Sequence, residues 1–461
     1  MSKPLHRLSA TELVSHYRTR ELSPLEVTRA ILAQIERLNP ELNAFVLLDP
    51  VRALAAARES EQRWQRSAPL GPLDGVALSV KDLLLTRDWP TRRGSRTVAT
   101  DGPWDVDAPA VARARAAGAV LLGKTTTTEF GLTGSSQSPL SGTTKNPWNT
   151  GHTTGGSSAG AVAAVAAGFG PLALATDGGG SIRVPSAYAG LVGLKPTYGR
   201  VPTSPASVIG VPPHVGPIAR SVEDAALLLS VIAAADDRDP FRLPADGQDY
   251  RAALEDGVRG LRIGVSTLGH AELEPEIVAA FDHAAQAFAE LGAHVEAADP
   301  VLPASAAQVR RTLFAARAAH TVRALSAAQR ELLDPGVEQA ARDGERLSAL
   351  DYLAAEHERV ALAESLARYH RDFDLLLTPT TAWSAPAFAP STPREPSPFA
   401  FPFSLSRQPA ISVPAGLTRA GLPIGVQIVG RHFEDAGVLR AARAFERHSP
   451  SPSLPDRPGQ A

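Results

Sequence analysis

The sequence predicts an α/β fold, and three observations predict it. Short apolar runs that read as strands recur along the chain, at 76–80, 119–122, 172–176, 261–265 and 294–297. Helix-patterned stretches separate them, and strands alternating with helices argue for an α/β arrangement. The length of 461 residues corresponds to roughly three domains at about 150 residues each, although α/β enzymes often run longer as one unit.

The elements follow in order. Ser9-Ala-Thr-Glu12 and Ser23-Pro-Leu-Glu26 both fit a capping box, and Pro24 occupies a first helical position, where its missing N–H costs nothing. Two helices therefore open the chain, the second running to about Leu38, and a third covers about 51–66. From about Gly118 to Gly199 charge falls, and Gly, Ser, Thr and Ala dominate. Within that stretch 161–167 is apolar all round, the mark of a buried helix.

After it, Ser221 and Asp224 start a helix that runs through Ala235. A polar, Pro-containing connection covers 236–248. Then come a strand at 261–265, a helix at 276–291, a strand at 294–297 and a long Ala- and Arg-rich helical region at 304–370. A strand at 375–377 precedes a Pro-rich stretch at 379–409. Segments 410–414 and 425–429 read as paired strands, and 438–448 as a closing helix. The tail, 450–461, is rich in Pro and Ser and is expected to be disordered. The sequence contains no internal repeat.

Composition excludes several classes of function. Lys plus Arg is 46 and Asp plus Glu is 48, a balance that does not mark a nucleic-acid or membrane-surface binder. The absence of cysteine excludes a thiol nucleophile, a disulfide framework and a Cys-ligated metal. The 12 histidines include no His-Glu-x-x-His pattern, so no zinc hydrolase is expected and no cofactor is implied. Residues 1–7 lack the apolar run of a signal peptide, and no apolar stretch reaches the ~20 residues of a membrane helix. The expectation is a soluble, cytoplasmic protein.

Two familiar patterns fail on mechanism. Gly118-Ala-Val-Leu-Leu-Gly-Lys-Thr125 matches a P-loop literally. A phosphate loop needs a flexible turn, however, and these variable positions read as a buried strand. Gly156-Ser-Ser-Ala-Gly160 matches a nucleophile elbow centred on Ser158, which requires a strand directly before it. Residues 146–155 are rich in turn formers and carry no apolar run. His432 is a candidate partner for Ser158, but nothing singles it out.

A different set of residues carries the chemistry. Along 75–80, Val76, Leu78 and Val80 face one way, while Ala77 and Ser79 face the other together with Lys81. Lys81 thus ends a strand on its small-residue face, with room to point inward. Ser157 stands in Gly155-Gly-Ser-Ser-Ala-Gly160, and Ser181 follows it by 24 positions, closing Asp177-Gly-Gly-Gly-Ser181. A run of bare N–H groups beside a hydroxyl is what an oxyanion hole requires, and glycine lets backbone approach a ligand closely.

Together these elements resemble the amidase signature family, which carries a Gly-Gly-Ser-Ser-Gly-Gly element and an Asp-x-Gly-Gly-Ser-Ile-Arg element. Here they stand at 155–160 and 177–183. Val80-Lys81-Asp82, the stretches 118–129 and 190–200, and the late element 421–430 are also similar. The match is dense over about 120 residues, roughly 75–200, and sparser elsewhere.

The resemblance implies one large domain over 1–449, with a mixed, twisted sheet covered by helices on both faces. It implies a Ser-Ser-Lys triad. In it Ser181 is the nucleophile, Ser157 the middle member after a cis peptide at Gly156, and Lys81 the base. The N–H groups of Gly178, Gly179, Gly180 and Ser181 would form the oxyanion hole. Thr154 and Gly156 would lie near the substrate, and Asp177 and Arg183 would orient the loop as an ion pair. Ala159, Thr126 and Gly178 depart from the family pattern without removing a triad member.

The activity implied is hydrolysis of a small-molecule amide by a stand-alone amidase. A homodimer stays open as a further partner. Two alternatives remain. One is the A component of a tRNA-dependent amidotransferase, from whose usual pattern the stretch 201–215 departs. The other is an esterase using Ser158. The helices of 304–370 and the loop 379–409 would line the substrate pocket. Trp383, Phe388, Phe399 and Phe401 make that loop apolar, either for an aryl or alkyl amide or simply to pack the core.

Overall fold

The computed structural model describes residues 3–205, 213–270, 272–388, 398–455 and 459. Its centre is a mixed sheet with 11 strands. The strands of the first half are β1 (Phe45–Leu48), β2 (Ala77–Lys81), β3 (Val120–Thr125), β6 (Leu172–Asp177), β7 (Val192–Lys195) and β8 (His214–Ala219). Between β3 and β6 lies a separate hairpin of β4 (Gln137–Ser138) and β5 (Gly142–Thr143). The second half supplies β9 (Arg262–Val265), β10 (His294–Ala297), β11 (Leu375–Pro379), β12 (Ala410–Leu417) and β13 (Pro423–Gly430). Their spatial order is β1-β3-β2-β6-β8-β7-β12-β13-β11-β9-β10. Strands β3, β2 and β6 run parallel, as do β11, β9 and β10, while the strands between these two groups pair antiparallel.

Helices cover both faces, because the central strands are buried on both. Val76, Leu78 and Val80 join a core that includes the helices Val222–Ile232, Pro275–Glu290 and Asp435–His448. Ala77, Val120 and Leu122 face the opposite core, built on the N-terminal helices. The alternation read along 76–80 is therefore the alternation of the sheet faces. The all-apolar helix appears as Ala159–Ala166, with every residue buried. Among the described residues no helix is long and apolar enough to cross a membrane.

Several expectations need adjustment. Ser9 and Glu12 close a reciprocal capping box, but Ser23 does not. Its hydroxyl accepts from the Leu25 and Glu26 N–H groups and donates to Glu61. The second helix passes through Pro40 to Leu42 before Asn43 ends it in the left-handed region, at φ 54°. So late a proline removes only one hydrogen bond from the last turn.

Strands β7 and β8 carry Gly193, Gly216 and Pro217, which conceal them from pattern reading. The glycines are there because the chain crowds. A Cβ on Gly193 would lie 2.2 Å from Ser186 Oγ, and one on Gly216 would lie 2.1 Å from the Leu194 carbonyl. The described part of the tail lies against the body. Leu454 packs beside the helix Ala159–Ala166, and the Pro455 carbonyl accepts from Arg7. Residues 456–458, 460 and 461 lie outside the described residues, as do 206–212 and 389–397.

Candidate active site

Parallel neighbours β2 and β6 both point their C-terminal ends at one place. Val80 pairs with Leu174, so Lys81, the last residue of β2, comes beside Thr176 and Asp177, the last of β6. Ends of this kind are where α/β sheets collect ligand-binding groups. Lys81 is fully buried, and its Nζ lies 2.8 Å from Ser157 Oγ, 2.8 Å from Ser158 Oγ, 3.0 Å from Thr176 Oγ1 and 3.2 Å from the Thr176 carbonyl. Burial pushes the Lys81 amine well below the ordinary lysine value. The Asp177 carboxylate opposes that shift and the Arg317 guanidinium adds to it.

Ser157 reaches the lysine because the chain is held tightly before it. The Gly156–Ser157 peptide is cis. A Cβ on Gly156 would fall 2.0 Å from the Ser135 carbonyl, so only glycine fits. The Thr127 hydroxyl donates to the Ser157 carbonyl at 2.9 Å. Thr154 is buried and donates to the Gly155 carbonyl at 3.1 Å.

The next turn, 178–181, hangs from Asp177. Asp177 and Arg183 form a fully buried two-point ion pair, with Nε–Oδ2 at 2.9 Å and Nη2–Oδ1 at 3.0 Å. The carboxylate also accepts the N–H groups of Gly180 at 2.7 Å and Ile182 at 3.2 Å, and the Ser404 hydroxyl at 3.1 Å. Burial alone would raise its pKa, but the Arg183 charge and these donors outweigh burial and hold it below the usual carboxylate range. Arg183 Nη1 donates onward to Gln427 on β13 at 2.7 Å. The loop is thus fastened to the far half of the sheet.

Ser181 is half-buried on the wall of a cavity that Gly156, Gly178, Gly179, Gly180, Arg310 and Phe314 also line. Lys81 and Ser157 are therefore in contact. Ser181 shares a cavity with Gly156, and among the described residues no hydrogen bond joins its hydroxyl to Ser157. One member of the expected oxyanion hole is otherwise engaged, since the Gly180 N–H donates to Asp177. The oxyanion role of Gly178, Gly179, Gly180 and Ser181 belongs to the functional proposal below.

The rival motifs resolve differently. The P-loop match is β3, and Lys124 within it is buried and bonded to the Leu84 carbonyl at 2.6 Å and to Thr91 at 2.7 Å. No loop exists there to wrap a phosphate. Ser158 stands just before the helix Ala159–Ala166 without a side-chain capping bond, is fully buried and follows no strand. His432 lies apart from it, with Nε2 2.6 Å from the Ser406 carbonyl. Thr126 meets Thr144 at 2.6 Å between hydroxyls.

Of the four aromatic residues noted for the pocket, Phe399 is buried against the His270 ring, Phe401 is buried in a hydrophobic cluster, and Trp383 packs beside Tyr188 and Ala400. Phe388 lies next to the undescribed 389–397. The aromatic ring that lines the Ser181 cavity is Phe314, on the helix Ala306–Val322. Sequence reasoning missed Thr176 as a lysine partner, and missed Lys195 and His214 around Asp177. Lys195 is fully buried, and His214 Nδ1 lies 3.1 Å from the Asp177 carbonyl. Only strand pairing, Asp177 opposite His214, brings them there.

Comparison with known proteins gives the same picture over the whole chain. The sequence model of the family described as Amidase matches residues 26–439. An acylamidase of Rhodococcus erythropolis is 37% identical over 460 residues, covering 97% of this chain and 96% of that protein. The A component of the glutamyl-tRNA(Gln) amidotransferase of Myxococcus xanthus (strain DK1622) is 39% identical over 474 residues, covering 95% and 97%. The crystal structure of a bacterial aryl acylamidase of the amidase signature family superimposes with a TM-score of 0.92 at 32% identity, covering 100% of both chains.

Proposed function

The chain belongs to the amidase family of hydrolases acting on amide C–N bonds, and from that premise we propose that it is a stand-alone amidase working through Lys81, Ser157 and Ser181. The observation that carries the reading is the 2.8 Å contact between Lys81 Nζ and Ser157 Oγ at full burial. A desolvated amine loses its proton more easily, and only a neutral amine accepts one. The Thr176 carbonyl can only accept, so it takes one Lys81 N–H and helps aim the lone pair at Ser157.

The steps follow. Neutral Lys81 takes the Ser157 proton while Ser157 takes that of Ser181. Ser181 Oγ forms a bond to the amide carbon, and the carbonyl electron pair moves to oxygen, facing the N–H groups of the glycine turn. The oxyanion collapses, the C–N bond breaks, and the proton returns through Ser157 to the leaving amine. Water then cleaves the acyl-enzyme by the same relay and releases a carboxylate. Asp177 and Arg183 act as positioning residues, because they hold the turn without entering the cavity lining.

The second reading is the A component of a tRNA-dependent amidotransferase, favoured by the identity to the Myxococcus xanthus protein. The similarity to acylamidases in sequence and fold supports the stand-alone reading. The test is turnover by the purified chain. Release of carboxylate and amine from a simple anilide, without a partner protein, tRNA or nucleotide, supports a stand-alone amidase. Turnover only with those components present overturns it.

A further inference from the structure

His214 opens β8 opposite Asp177, the last residue of β6, and is buried at the start of the glycine turn. Its Nδ1 lies 3.1 Å from the Asp177 carbonyl. A carbonyl oxygen can only accept, so Nδ1 carries the proton and donates it. Nε2 is then a bare acceptor, and among the described residues it has no hydrogen-bond partner. The imidazole packs edge-on to Tyr198, with ring centroids 5.5 Å apart at 73°. Arg407 Cζ in turn stands 4.8 Å from the Tyr198 centroid. Burial and the neighbouring Lys195 amine push His214 well below the ordinary histidine value, against the opposing pull of the Asp177 carboxylate, so the ring stays neutral.

The bond acts on one peptide plane. The Asp177 carbonyl and the Gly178 N–H belong to the same trans peptide, in which they point to opposite sides. Whatever fixes the carbonyl therefore aims the N–H. The preceding carbonyl, of Thr176, is held by Lys81 and Ser158. Further along, the Asp177 carboxylate holds the N–H groups of Gly180 and Ile182. His214 supplies the hold between these two. Gly178 lines the Ser181 cavity, and among the described residues its N–H has no protein acceptor. Its backbone lies outside the left-handed region. A flip of the 177–178 peptide would carry it toward positive φ, which glycine adopts freely and a residue with a Cβ does not. With glycine in this place, the hydrogen bond to the carbonyl is what opposes the flip.

We propose that His214 is a positioning residue for catalysis: by donating Nδ1–H to the Asp177 carbonyl it fixes the 177–178 peptide and aims the Gly178 N–H at the oxyanion. The proposal rests on the amidase reading above. His214 is not among the described residues that line the Ser181 cavity, so it acts through the peptide and not on the reacting atoms. The Gly178 N–H matters most when charge builds on the carbonyl oxygen. Loss of His214 should therefore lower kcat and leave KM near the parent's.

The test follows anilide hydrolysis in the parent and in three variants. His214→Leu removes the donor and should lower kcat by roughly ten- to a hundredfold, part of what an aimed oxyanion donor is worth. His214→Asn carries an amide N–H at the same distance along the side chain as Nδ1, and should restore most of the rate. Adding Gly178→Ala to His214→Leu should restore part of it, because the flipped peptide then costs more. The new Cβ has room, with Arg317 Nη1 at 3.4 Å as its nearest neighbour. Rates of Ser181 phosphonylation by a fluorophosphonate should rank the proteins in the same order. In nitrogen NMR spectra of histidine-labelled parent, the imidazole signals missing from His214→Asn should show a protonated Nδ1 and a bare Nε2. A ring protonated at Nε2 instead, a His214→Leu kcat equal to the parent's, or a His214→Asn rate as low as that of His214→Leu overturns the proposal. Where His214→Leu does not fold, the spectrum and the His214→Asn rate still decide. A parent that hydrolyses no amide counts against the amidase reading, while the spectrum and the phosphonylation rates still decide the role of His214.

Discussion

Arg183 grips Asp177 at two points, 2.9 and 3.0 Å, with both side chains fully buried and five residues of chain between them. The intervening residues are the glycine turn and Ser181. The pair therefore closes the turn like a clasp, and Gln427 and Ser404 hold the clasp to distant parts of the sheet and its cover.

Breaking the clasp should be costly. Arg183→Met leaves the Asp177 carboxylate buried without its partner, and removing one side of a buried pair costs about 3–5 kcal/mol. Urea unfolding of the variant should show a lower midpoint with an unchanged slope. A loss below about 1 kcal/mol would mean that the turn is held by its backbone alone.

The base sets the pH profile. Lys81 is active when neutral, so turnover should rise with pH through the Lys81 pKa and then level. Burial lowers that pKa, so the rise should lie on the acid side of an ordinary lysine's. Lys81→Ala should remove most of the rate and flatten the rise. Lys81→Arg should not rescue, because arginine stays charged. An unchanged profile in Lys81→Ala would show that another base accepts the proton.

The nucleophile can be labelled directly. A fluorophosphonate should react with Ser181 in the parent, and Ser181→Ala should abolish both labelling and turnover. Ser158→Ala should still label, since Ser158 is fully buried before the helix Ala159–Ala166. Ser157→Ala should be less damaging than Ser181→Ala, because a water can partly replace a relay hydroxyl but not a nucleophile. Labelling lost in Ser158→Ala and kept in Ser181→Ala would reverse the assignment.

Space at Gly156 is a further check. A methyl there meets the Ser135 carbonyl, backbone that cannot rotate away. Gly156→Ala should lower stability by about 1–3 kcal/mol, the range for overpacking, and displace Ser157 with a large loss of kcat. A melting temperature and rate equal to the parent's would contradict the crowding.

Chelation should leave activity intact. Among the described residues no group of three His, Asp or Glu side chains stands close enough to hold a metal ion, and the proposed relay needs none. Activity lost on exhaustive chelation and restored by one added metal would overturn this.

The local chemistry is legible in the order of residues along the chain. The order of Lys81, Gly155–Gly160 and Asp177–Arg183 along the chain, the capping of the first helix by Ser9 and the two-faced burial of 76–80 all follow from short-range spacing, which periodicity and glycine content report. The sequence also excluded the P-loop, since a run of branched apolar residues makes a strand and not a flexible turn. Which strand ends meet follows from long-range pairing alone. That Thr176 completes the lysine's surroundings, that His214 and Lys195 crowd Asp177, and that Gln427 anchors Arg183 across 244 positions depend on strand order. Pairing between remote strands leaves no periodic trace in either one. The concealed strands β7 and β8 show why. Their Gly193, Gly216 and Pro217 read as breakers, and become strand residues only because neighbouring backbone and Ser186 approach within the space a side chain would fill. The wall of the pocket was hidden for the same reason. Arg310 and Phe314 belong to an ordinary Ala-rich helix, and it is the packing of that helix against the glycine turn that places them on the wall of the Ser181 cavity.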